Sequence, residues 1–449
     1  MKGRQRSVPE AMNPILQIKA RPGRLRGAFG VPGDKSISHR ALFFATLRPD
    51  ILIRNLAPGD DVIRTRRLIE AAGYRVEETD GGVRVVGAPE RADALEHPVR
   101  IDCGNSGTTA RIGLGWLTGE RGLWKVTGDE SLRRRPMGRI IEPLERLGTI
   151  FRGGRSTLPV SVIADRRVIG GGEVGVSSAQ VHAGLLLAGL RSEEGVRLRR
   201  LGPMRDHTLR LVRKLSLPVE SEGDLDIVHP VTDGPASRER IDPADLTVLD
   251  IPGDISSASF LIAAALLQPD ADITIRGVGL NPTRIAFLEA VQSMGGDISW
   301  ESTGEGWEPR GEVRVRGGAQ LQGVDFSADS IDVAGMADEV PLLALVAAHA
   351  RGPSRIRDVG ELRVKESDRI SSTVAILNQL GLDVQERGDG FEISGGGRVR
   401  GGVDVDPAGD HRLAMLAGVA GTLATEPIRV FNPEIASVSW PGFWDLFGG

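Results

Sequence analysis

The chain repeats one pattern of apolar and polar positions. A short apolar run with the alternation of a strand is followed by a polar turn and then by a longer apolar stretch typical of a helix. Such segments begin near Val31, Ile101, Val174, Leu249, Ile331 and Val403. The clearest pair is VPGDKSISHRAL (Val31–Leu42) and IPGDISSASFLI (Ile251–Ile262), which start 220 residues apart. This recurrence predicts two similar halves of three units each.

A second piece recurs between these segments: a strand, a charged loop, a helix, and a glycine before another strand. Two examples are NLAPGDDVIRTRRLIEAAGYRV and VGLNPTRIAFLEAVQSMGGDI. A glycine after the last helical turn is a C-cap signal, and the alternating runs that follow it predict strands. We therefore predict an α/β fold of six βαβαββ units. Solenoid repeats are the alternative, but units of roughly 70 residues exceed the 20–50 residues typical of solenoids.

Length and composition narrow the class of protein. A chain of 449 residues is too long for one hydrophobic core, which predicts two domains. The net charge of −4 gives no reason to expect a nucleic-acid partner, and nothing approaches the apolar run of about 20 residues that a membrane helix needs. The single cysteine, Cys103, excludes an internal disulfide, and the first dozen residues lack the apolar region of a signal peptide. We expect a cytoplasmic protein.

Lysine is scarce among the basic residues. Six of the 56 are lysines: Lys2, Lys19, Lys35, Lys125, Lys214 and Lys365. Arginine remains charged, whereas lysine is a compact charge that can release a proton. Lysines inside polar motifs, namely Lys35 and Lys365, are therefore candidates for a role that arginine could not fill.

The polar turns contain candidate binding and catalytic residues. The free N–H groups at a helix N-terminus attract anions, so converging turns would form an electropositive site. For one turn alone, the simpler interpretation is that its Ser, Asn and Asp are N-caps. No GxxxxGK[ST] motif of a P-loop is present. The candidates, in chain order, are Lys35, Ser36, Arg40, Asn105, Gly107, Thr108, Arg135, Ser178, Gln180, Arg205, Asp338, Lys365, Glu366, Arg369 and Arg412.

These candidates combine cations for anionic ligands with groups that can move protons. Asp338 and Glu366 are carboxylates, and Lys35 is an amine. Arg369 follows Lys365 by four residues, so on one helix both would project from the same face. For KESDR alone, the alternative is a solvated helix face. The set as a whole predicts a site where anionic substrates react by proton transfer.

The ordered motifs resemble those of the 5-enolpyruvylshikimate-3-phosphate synthases. They are VPGDKSISHRAL, GNSGTTAR, SLRRRPMGR, SAQ, RDHT, ELRVKESDR and DHRLAM, and the match extends from about Ile18 to the C-terminus. The SAQ and RDHT variants are closer to the bacterial class that includes glyphosate-tolerant members. The resemblance implies an inside-out α/β barrel with two domains of three βαβαββ units each. It implies domains at 33–252 and at 1–32 plus 253–449, with a hinge at 32–34 and 252–254.

The resemblance also implies substrates and residue roles. The chain would transfer the enolpyruvyl group of phosphoenolpyruvate to the 5-hydroxyl of shikimate 3-phosphate through a tetrahedral ketal, as a monomer, without metal or organic cofactor. Asp338 would accept the hydroxyl proton, and Glu366 with Lys35 would move the proton of the enol methylene. Residues implied for shikimate 3-phosphate are Lys35, Ser36, Arg40, Ser178, Ala179 (through its backbone), Gln180, Arg205, Asp338 and Lys365. Those implied for phosphoenolpyruvate are Lys35, Asn105, Gly107, Arg135, Gln180, Arg369 and Arg412.

The chain departs from the family's pattern at Val438, and two alternative functions remain open. Val438 stands where plant and enteric relatives have a lysine, so one phosphoenolpyruvate contact is lost or supplied elsewhere. The first alternative is the sister transferase acting on UDP-N-acetylglucosamine, which uses a mobile-loop cysteine and an Asn after the first lysine. Here Ser36 follows Lys35, and Cys103 at a strand end is predicted to be a small buried residue. The second alternative is a non-catalytic phospholigand-binding protein, which would not need Lys35, Asp338 and Glu366.

Overall fold

The computed structural model describes residues 14–19, 25–48, 50–87, 96–164, 170–231, 246–304, 306–333 and 335–448. The N-terminal stretch assessed for a signal peptide lies outside these residues. The described strands are β1 (Ile15–Ile18), β2 (Arg26–Phe29), β3 (Ile51–Arg54), β4 (Arg75–Thr79), β5 (Gly82–Val86), β6 (Val99–Asp102), β7 (Gly122–Thr127), β8 (Ile150–Gly153), β9 (Val160–Ala164), β10 (Glu173–Val176), β11 (Val196–Arg200), β12 (Val219–Glu222), β13 (Leu225–Val228), β14 (Thr247–Asp250), β15 (Asp272–Gly279), β16 (Asp297–Gly304), β17 (Arg310–Arg316), β18 (Asp325–Phe326), β19 (Ser354–Ile356), β20 (Val384–Arg387), β21 (Gly390–Ile393), β22 (Asp404–Val405) and β23 (Ile428–Phe431).

Helices alternate with these strands. They are α1 (Lys35–Ala45), α2 (Asp60–Ala71), α3 (Gly107–Leu117), α4 (Glu130–Arg134), α5 (Gly138–Arg146), α6 (Ala179–Leu190), α7 (His207–Lys214), α8 (Ile255–Leu267), α9 (Ala286–Ser293), α10 (Val340–His349), α11 (Arg369–Gln379), α12 (His411–Leu423) and α13 (Phe443–Phe447), with 3₁₀ turns at Gly360–Val364 and Pro433–Val438. Across the described ranges, every helix is too short or too polar to span a bilayer.

Five four-stranded sheets repeat the predicted unit. In the order β6-β7-β9-β8, the first two strands are parallel and joined through α3, and the last two are antiparallel. The same arrangement recurs in β10-β11-β13-β12 and β18-β19-β21-β20. The solved relatives described below confirm the predicted fold class.

Two sheets take an outer strand from a segment that leads directly into the other half of the chain. Strand β14 pairs in parallel with β3, whereas β2 pairs in parallel with β15. Each of these strands ends just before a Pro-Gly-Asp segment, after which the chain continues into the other half. The chain therefore crosses between the halves twice, at Pro32–Asp34 and at Pro252–Asp254.

The structure departs from the predicted units in two places. The sixth sheet has the order β1-β23-β22, so the start of the described chain supplies its antiparallel strand. The strand predicted near Ile331 is wrong, because β18 ends at Phe326 and the described residues that follow form turns before α10. One such turn is closed by a hydrogen bond from the Gly335 N–H to the Asp332 carboxylate (2.7 Å), which competes with strand pairing.

The apolar helices lie inside each half. One hydrophobic core draws its residues from 37–251, and the other combines Ile18 and Leu25 with residues from 255–447. Helices α6, α8 and α10 are apolar on all sides and are almost wholly buried, as expected for helices surrounded by other elements. Burial of these helices leaves their N-terminal turns as the parts that face the space between the halves.

The predicted glycine C-caps are confirmed. The glycines that follow α2, α5, α9 and α11 all have φ between 88° and 102°, a backbone region that side chains with a Cβ disfavour. They are Gly73, Gly148, Gly295 and Gly381.

The two crossing segments pair with each other. The Asp34 N–H donates to the Pro252 carbonyl and the Asp254 N–H to the Pro32 carbonyl, both at 2.8 Å. Gly33 and Gly253 form the antiparallel bridge between them. A Cβ on Gly33 would lie 1.9 Å from the Asn55 carbonyl oxygen, so this close approach requires glycine.

We predict that Gly33→Ala destabilises the protein, because the added methyl must displace the backbone at Asn55. The expected loss is about 1–3 kcal/mol, the usual cost of overpacking. Gly30→Ala is the matched control, since a Cβ there meets nothing within 4 Å. Urea unfolding of both variants provides the measurement, and equal stability of the two would contradict the steric explanation.

Candidate active site

Six helix N-termini meet at one cavity between the halves. Its volume is about 310 Å³. Helices α1, α3 and α6 approach it from one half, and α8, α10 and α12 from the other. The residues that line it from these six turns are Lys35, Ser36, Gly107, Thr108, Ala179, Gln180, Asp254, Ser256, Ala337, Asp338, His411 and Arg412. The convergence required for an anion site is therefore present.

The cavity is more positive than the chain as a whole. Ten lysines and arginines and six carboxylates line it within the described ranges, which leaves four net positive charges. The whole chain, in contrast, carries a net charge of −4. Each N-terminus adds roughly half a positive charge. Such a cavity favours ligands with several negative charges.

All but one of the predicted site residues line this cavity. The exception is Asn105, whose side chain donates to the Asp129 carboxylate at 2.7 Å. Its carbonyl instead accepts from Arg135 Nη1 at 3.2 Å. Asn105 thus contacts the cavity through Arg135 and does not line it directly, and its predicted role in binding phosphoenolpyruvate stays a prediction.

Asp61 is a lining residue that the motifs did not indicate. Its carboxylate lies 2.8 Å from Lys35 Nζ, and both side chains are largely buried. Asp61 belongs to the first turn of α2, where an acid is favourable next to the helix N-terminus. Two adjacent acids after Gly59 were its sequence signal, but that signal is equally typical of an ordinary helix start.

Arg111 was also missed. It lies four residues after Gly107 on α3, so both face the same side. Its Nη1 donates to Gln180 Oε1 at 2.9 Å, and Gln180 in turn donates to Thr108. Burial and the neighbouring charge of Arg135 lower the pKa of Arg111 to about 10.

Gly107 leaves space for these guanidinium groups. A Cβ at Gly107 would lie 2.9 Å from terminal nitrogens of both Arg111 and Arg135. The absence of a side chain therefore lets two cations approach the start of α3, where a ligand can meet them together with free backbone N–H groups.

A buried arginine organises the carboxylates on the other side of the cavity. Arg369 is 1% exposed and donates to Asp410 (2.7 Å), Asp338 (3.1 Å) and Glu366 (2.6 Å). The interpretation of KESDR as a solvated helix face is therefore wrong. Lys365 and Arg369 do not share a helix either, since Lys365 ends a 3₁₀ turn and α11 begins at Arg369.

The surrounding cations determine the charge of the two candidate catalytic carboxyls. Burial would raise the pKa of Asp338, but Arg412, Arg205 and other cations outweigh it and hold that pKa well below the usual range. Burial is likewise outweighed at Glu366, chiefly by Arg369 and Arg135, so its pKa is also well below normal. Both groups are therefore ionised in the structure. Burial lowers the pKa of Lys365.

Ion pairs cross the cavity from one half to the other. Arg205 Nη2 lies 3.0 Å from Asp338, and Arg135 Nη1 lies 3.4 Å from Glu366. Near the mouth, Arg139 pairs with Glu361 at 2.8 Å. Carboxylates of one half thus neutralise cations of the other.

Val438 and Cys103 lie away from the cavity. The Val438 carbonyl packs against Gly59, and Val438 is not among the described residues that line the cavity. Cys103 is fully buried in a hydrophobic core, and burial raises the pKa of its thiol. The prediction of a small buried residue is confirmed. Across the described ranges, no cluster of His, Cys, Asp and Glu is arranged to hold a metal.

Solved structures define the class of protein. An EPSP synthase from Acinetobacter baumannii superimposes with a TM-score of 0.81 at 31% identity, covering 97% of this chain and 98% of that one. An enolpyruvyl transferase, NikO from Streptomyces tendae, has a TM-score of 0.73 at 17% identity, which shows a shared fold. The chain thus shares the fold of the enolpyruvyl transferases.

The family follows from sequence. The model of the EPSP synthase family, 3-phosphoshikimate 1-carboxyvinyltransferase, matches residues 19–447. A relative of that name from Herpetosiphon aurantiacus is 40% identical over 438 residues, covering 96% of this chain and 99% of the relative. Another, from Roseiflexus castenholzii, is 41% identical over 441 residues, with coverage of 96% and 99%. The chain belongs to the EPSP synthase family, as its motifs predict.

We predict that Asp338→Asn destabilises the empty protein at pH 7, because several buried cations lose their counter-charge. The expected loss is about 3 kcal/mol, as for removal of one partner of a buried ion pair. Inorganic phosphate should recover part of it by binding the folded state. Since the folded pKa of Asp338 is depressed, this stabilisation is complete above pH ~4 and is lost as the pH falls through the folded pKa.

Denaturant unfolding with and without phosphate measures these effects. Asp325→Asn is the matched control, because it breaks an exposed pair with Arg357 outside the cavity. Equal losses in the two variants would show that the cavity cations do not depend on Asp338.

Proposed function

We propose that the cavity between the halves carries out the family's reaction with Asp338, Glu366 and Lys35 as its proton-transfer groups. That reaction, the activity of this chain, transfers the enolpyruvyl group of phosphoenolpyruvate to shikimate 3-phosphate in aromatic amino acid biosynthesis. The observation that carries the proposal is the convergence of six helix N-termini and an excess of cations on one cavity that also holds ionised carboxylates.

Shikimate 3-phosphate is assigned to the side of the cavity formed mainly by α1, α6 and the segment before α7. Arg40 supports this assignment, because it joins these elements by donating to the Ala179 carbonyl (3.0 Å) and to Thr208 Oγ1 (2.8 Å). The proposed ligands are Lys35, Ser36, Arg40, Ser178, Ala179, Gln180, Arg205, Asp338 and Lys365, all of which line the cavity.

Phosphoenolpyruvate is assigned to the neighbouring arginines. Its phosphate and carboxylate both suit the planar guanidinium group, which can bind an anion through two N–H groups. Arg135 comes from one half, and Arg369 and Arg412 come from the other, so the ligand would join the halves. Lys35, Gly107 and Gln180 complete the proposed set.

The reaction requires one proton to leave the acceptor substrate, shikimate 3-phosphate, and one to be added to the donor substrate, phosphoenolpyruvate. Asp338 takes the proton of the 5-hydroxyl as the hydroxyl oxygen bonds to C2 of phosphoenolpyruvate, and Lys35 delivers a proton to C3. The ionised Glu366 accepts the proton that C3 loses in the next step. The tetrahedral ketal then loses phosphate from C2 and a proton from C3, which restores the double bond. Atoms and electrons balance without an oxidant or reductant.

Substrate binding would also change the pKa of the proposed base, Asp338. Although burial alone would raise the pKa of Asp338, Arg412, Arg205 and other cations depress it, which makes Asp338 a weak proton acceptor. Anionic substrates neutralise these cations, so the pKa of Asp338 rises on binding and its basicity increases. Proton abstraction is thereby coupled to an occupied site.

We further propose that 33–252 and 1–32 plus 253–449 move as two domains about the paired segments 32–34 and 252–254. The two separate hydrophobic cores and the double crossing of the chain support this division. We also propose a monomer as the active unit and a cytoplasmic location.

The decisive experiment is release of phosphate over many turnovers with each candidate acceptor. We expect turnover with shikimate 3-phosphate and none with UDP-N-acetylglucosamine. Binding of shikimate 3-phosphate without turnover would instead support a non-catalytic phospholigand-binding protein.

We predict that Lys35→Arg abolishes most turnover while much of the acceptor affinity remains. Arginine retains the positive charge beside Asp61 but cannot release a proton, so a loss of roughly 10²–10⁴-fold in kcat is expected for a lost acid–base group. Lys365→Arg is the comparison, because its proposed role is binding and its effect should appear in KM. Steady-state kinetics with both substrates measure the difference. A near-normal kcat in Lys35→Arg would show that Lys35 contributes only its positive charge.

A further inference from the structure

The RDHT motif contains a buried histidine that the proposed reaction does not use. His207 begins α7 and is 2% exposed. Its Nδ1 lies 2.8 Å from Oε1 of Glu308, which is 3% exposed and comes from the β16–β17 loop of the other half. A charged group buried between two halves requires a specific partner, so this pair ties α7 to that loop.

Asn281 extends the pair into a cluster. Its Nδ2 donates to Glu308 Oε2 at 3.0 Å and to Asp206 Oδ1 at 2.6 Å. Both carboxylate oxygens of Glu308 thus have a hydrogen-bond partner. Asp206 accepts hydrogen bonds from Asn281 of the other half and from Arg210 of its own helix. We call His207, Glu308 and Asn281 the interdomain clamp.

The loop that carries Glu308 is itself anchored in both halves. Trp307 packs against the hydrophobic core formed by residues from 37–251, although the loop belongs to the other half. The Pro309 carbonyl accepts from the Leu280 N–H at 2.8 Å, which fixes the loop beside Asn281. The position of Glu308 is therefore determined by the packing of one half on the other.

The clamp adjoins two proposed ligands of the acceptor. Arg205 immediately precedes Asp206, and its Nη2 reaches Asp338 across the cavity. Thr208 immediately follows His207, and its hydroxyl accepts from Arg40 Nε at 2.8 Å. A displacement of segment 205–208 would move both guanidinium groups.

We propose that Glu308, with His207 and Asn281, is a positioning residue that holds Arg205 and Arg40 in place for the acceptor. This proposal rests on the proposed roles of these arginines in binding shikimate 3-phosphate. Because the clamp takes members from both halves, it forms where the halves are packed together and links that packing to acceptor binding.

The test is Glu308→Gln, which preserves shape but has one acceptor oxygen where the clamp needs two. We expect KM for shikimate 3-phosphate to rise about tenfold, the size expected for loss of one hydrogen bond to a charged group. The values of kcat and of KM for phosphoenolpyruvate should stay within about threefold, since the affected arginines face the acceptor. A similar rise in both KM values, or a loss confined to kcat, would overturn the proposal.

A neighbouring ion pair supplies the matched control. Asp250→Asn removes an exposed pair with Arg310 (2.5 Å), which joins the halves beside the same loop without touching segment 205–208. Its KM for the acceptor should be unchanged. A rise equal to that of Glu308→Gln would assign the effect to general packing of the halves.

Two substitutions of His207 test the clamp even if the Glu308→Gln variant fails to fold. His207→Asn retains an N–H donor near the position of Nδ1 and should keep a near-normal KM for the acceptor. His207→Leu removes the donor and should raise KM as Glu308→Gln does. Equal KM values in these two variants would contradict the clamp.

A double-mutant cycle separates this inference from the proposed function. Arg205→Gln alone should raise KM for the acceptor, and Glu308→Gln added to it should contribute much less than in the wild type, since both act through Arg205. Full additivity of the two effects on the free energy derived from KM would contradict the clamp but leave the binding role of Arg205 intact. No effect of Arg205→Gln alone would overturn both.

Discussion

Electrostatic repulsion among the helix N-termini that meet in one cavity is the constraint on which this structure depends. Six N-termini and an excess of cations would repel each other across an empty space. Carboxylates relieve the repulsion: Asp61 pairs with Lys35, and Asp338 and Glu366 surround Arg369. Two further pairs, Arg205–Asp338 and Arg135–Glu366, join opposite halves, so charges that line the cavity also hold the halves together.

Carboxylates and a buried cation also balance each other where the chain crosses between the halves. The crossing places the N-cap carboxylates of α1 and α8, Asp34 and Asp254, near one buried guanidinium group, that of Arg284. Burial would raise the pKa of Asp34, but Arg284, His207 and other groups together outweigh it and keep that pKa below normal. Burial and the Asp34 charge raise the pKa of Asp254. The two halves therefore meet at a point where backbone pairing and buried charge are interdependent.

The carboxylates proposed for proton transfer also have a structural role. Asp338 and Glu366 serve as counter-ions of arginines, and their low pKa values reflect that role. In the proposed reaction, an anionic substrate would neutralise these arginines and leave the carboxylates available for proton transfer. A site of this kind needs both halves, because Arg205 and Arg135 come from one and their carboxylate partners from the other.

The sequence by itself determined what depends on local spacing: the repeated units, the glycine C-caps, and the residues that begin each apolar helix. Because a helix exposes N–H groups at its own first turn, Lys35, Gly107 and Gln180 could be placed at an anion site from pattern alone. Tertiary structure decided which distant groups pair. Asp61 and Arg111 line the cavity, and Asn105 donates to Asp129. Glu308 meets His207 across 101 positions, a partnership that arises from packing of the halves and leaves no periodic signal in the chain.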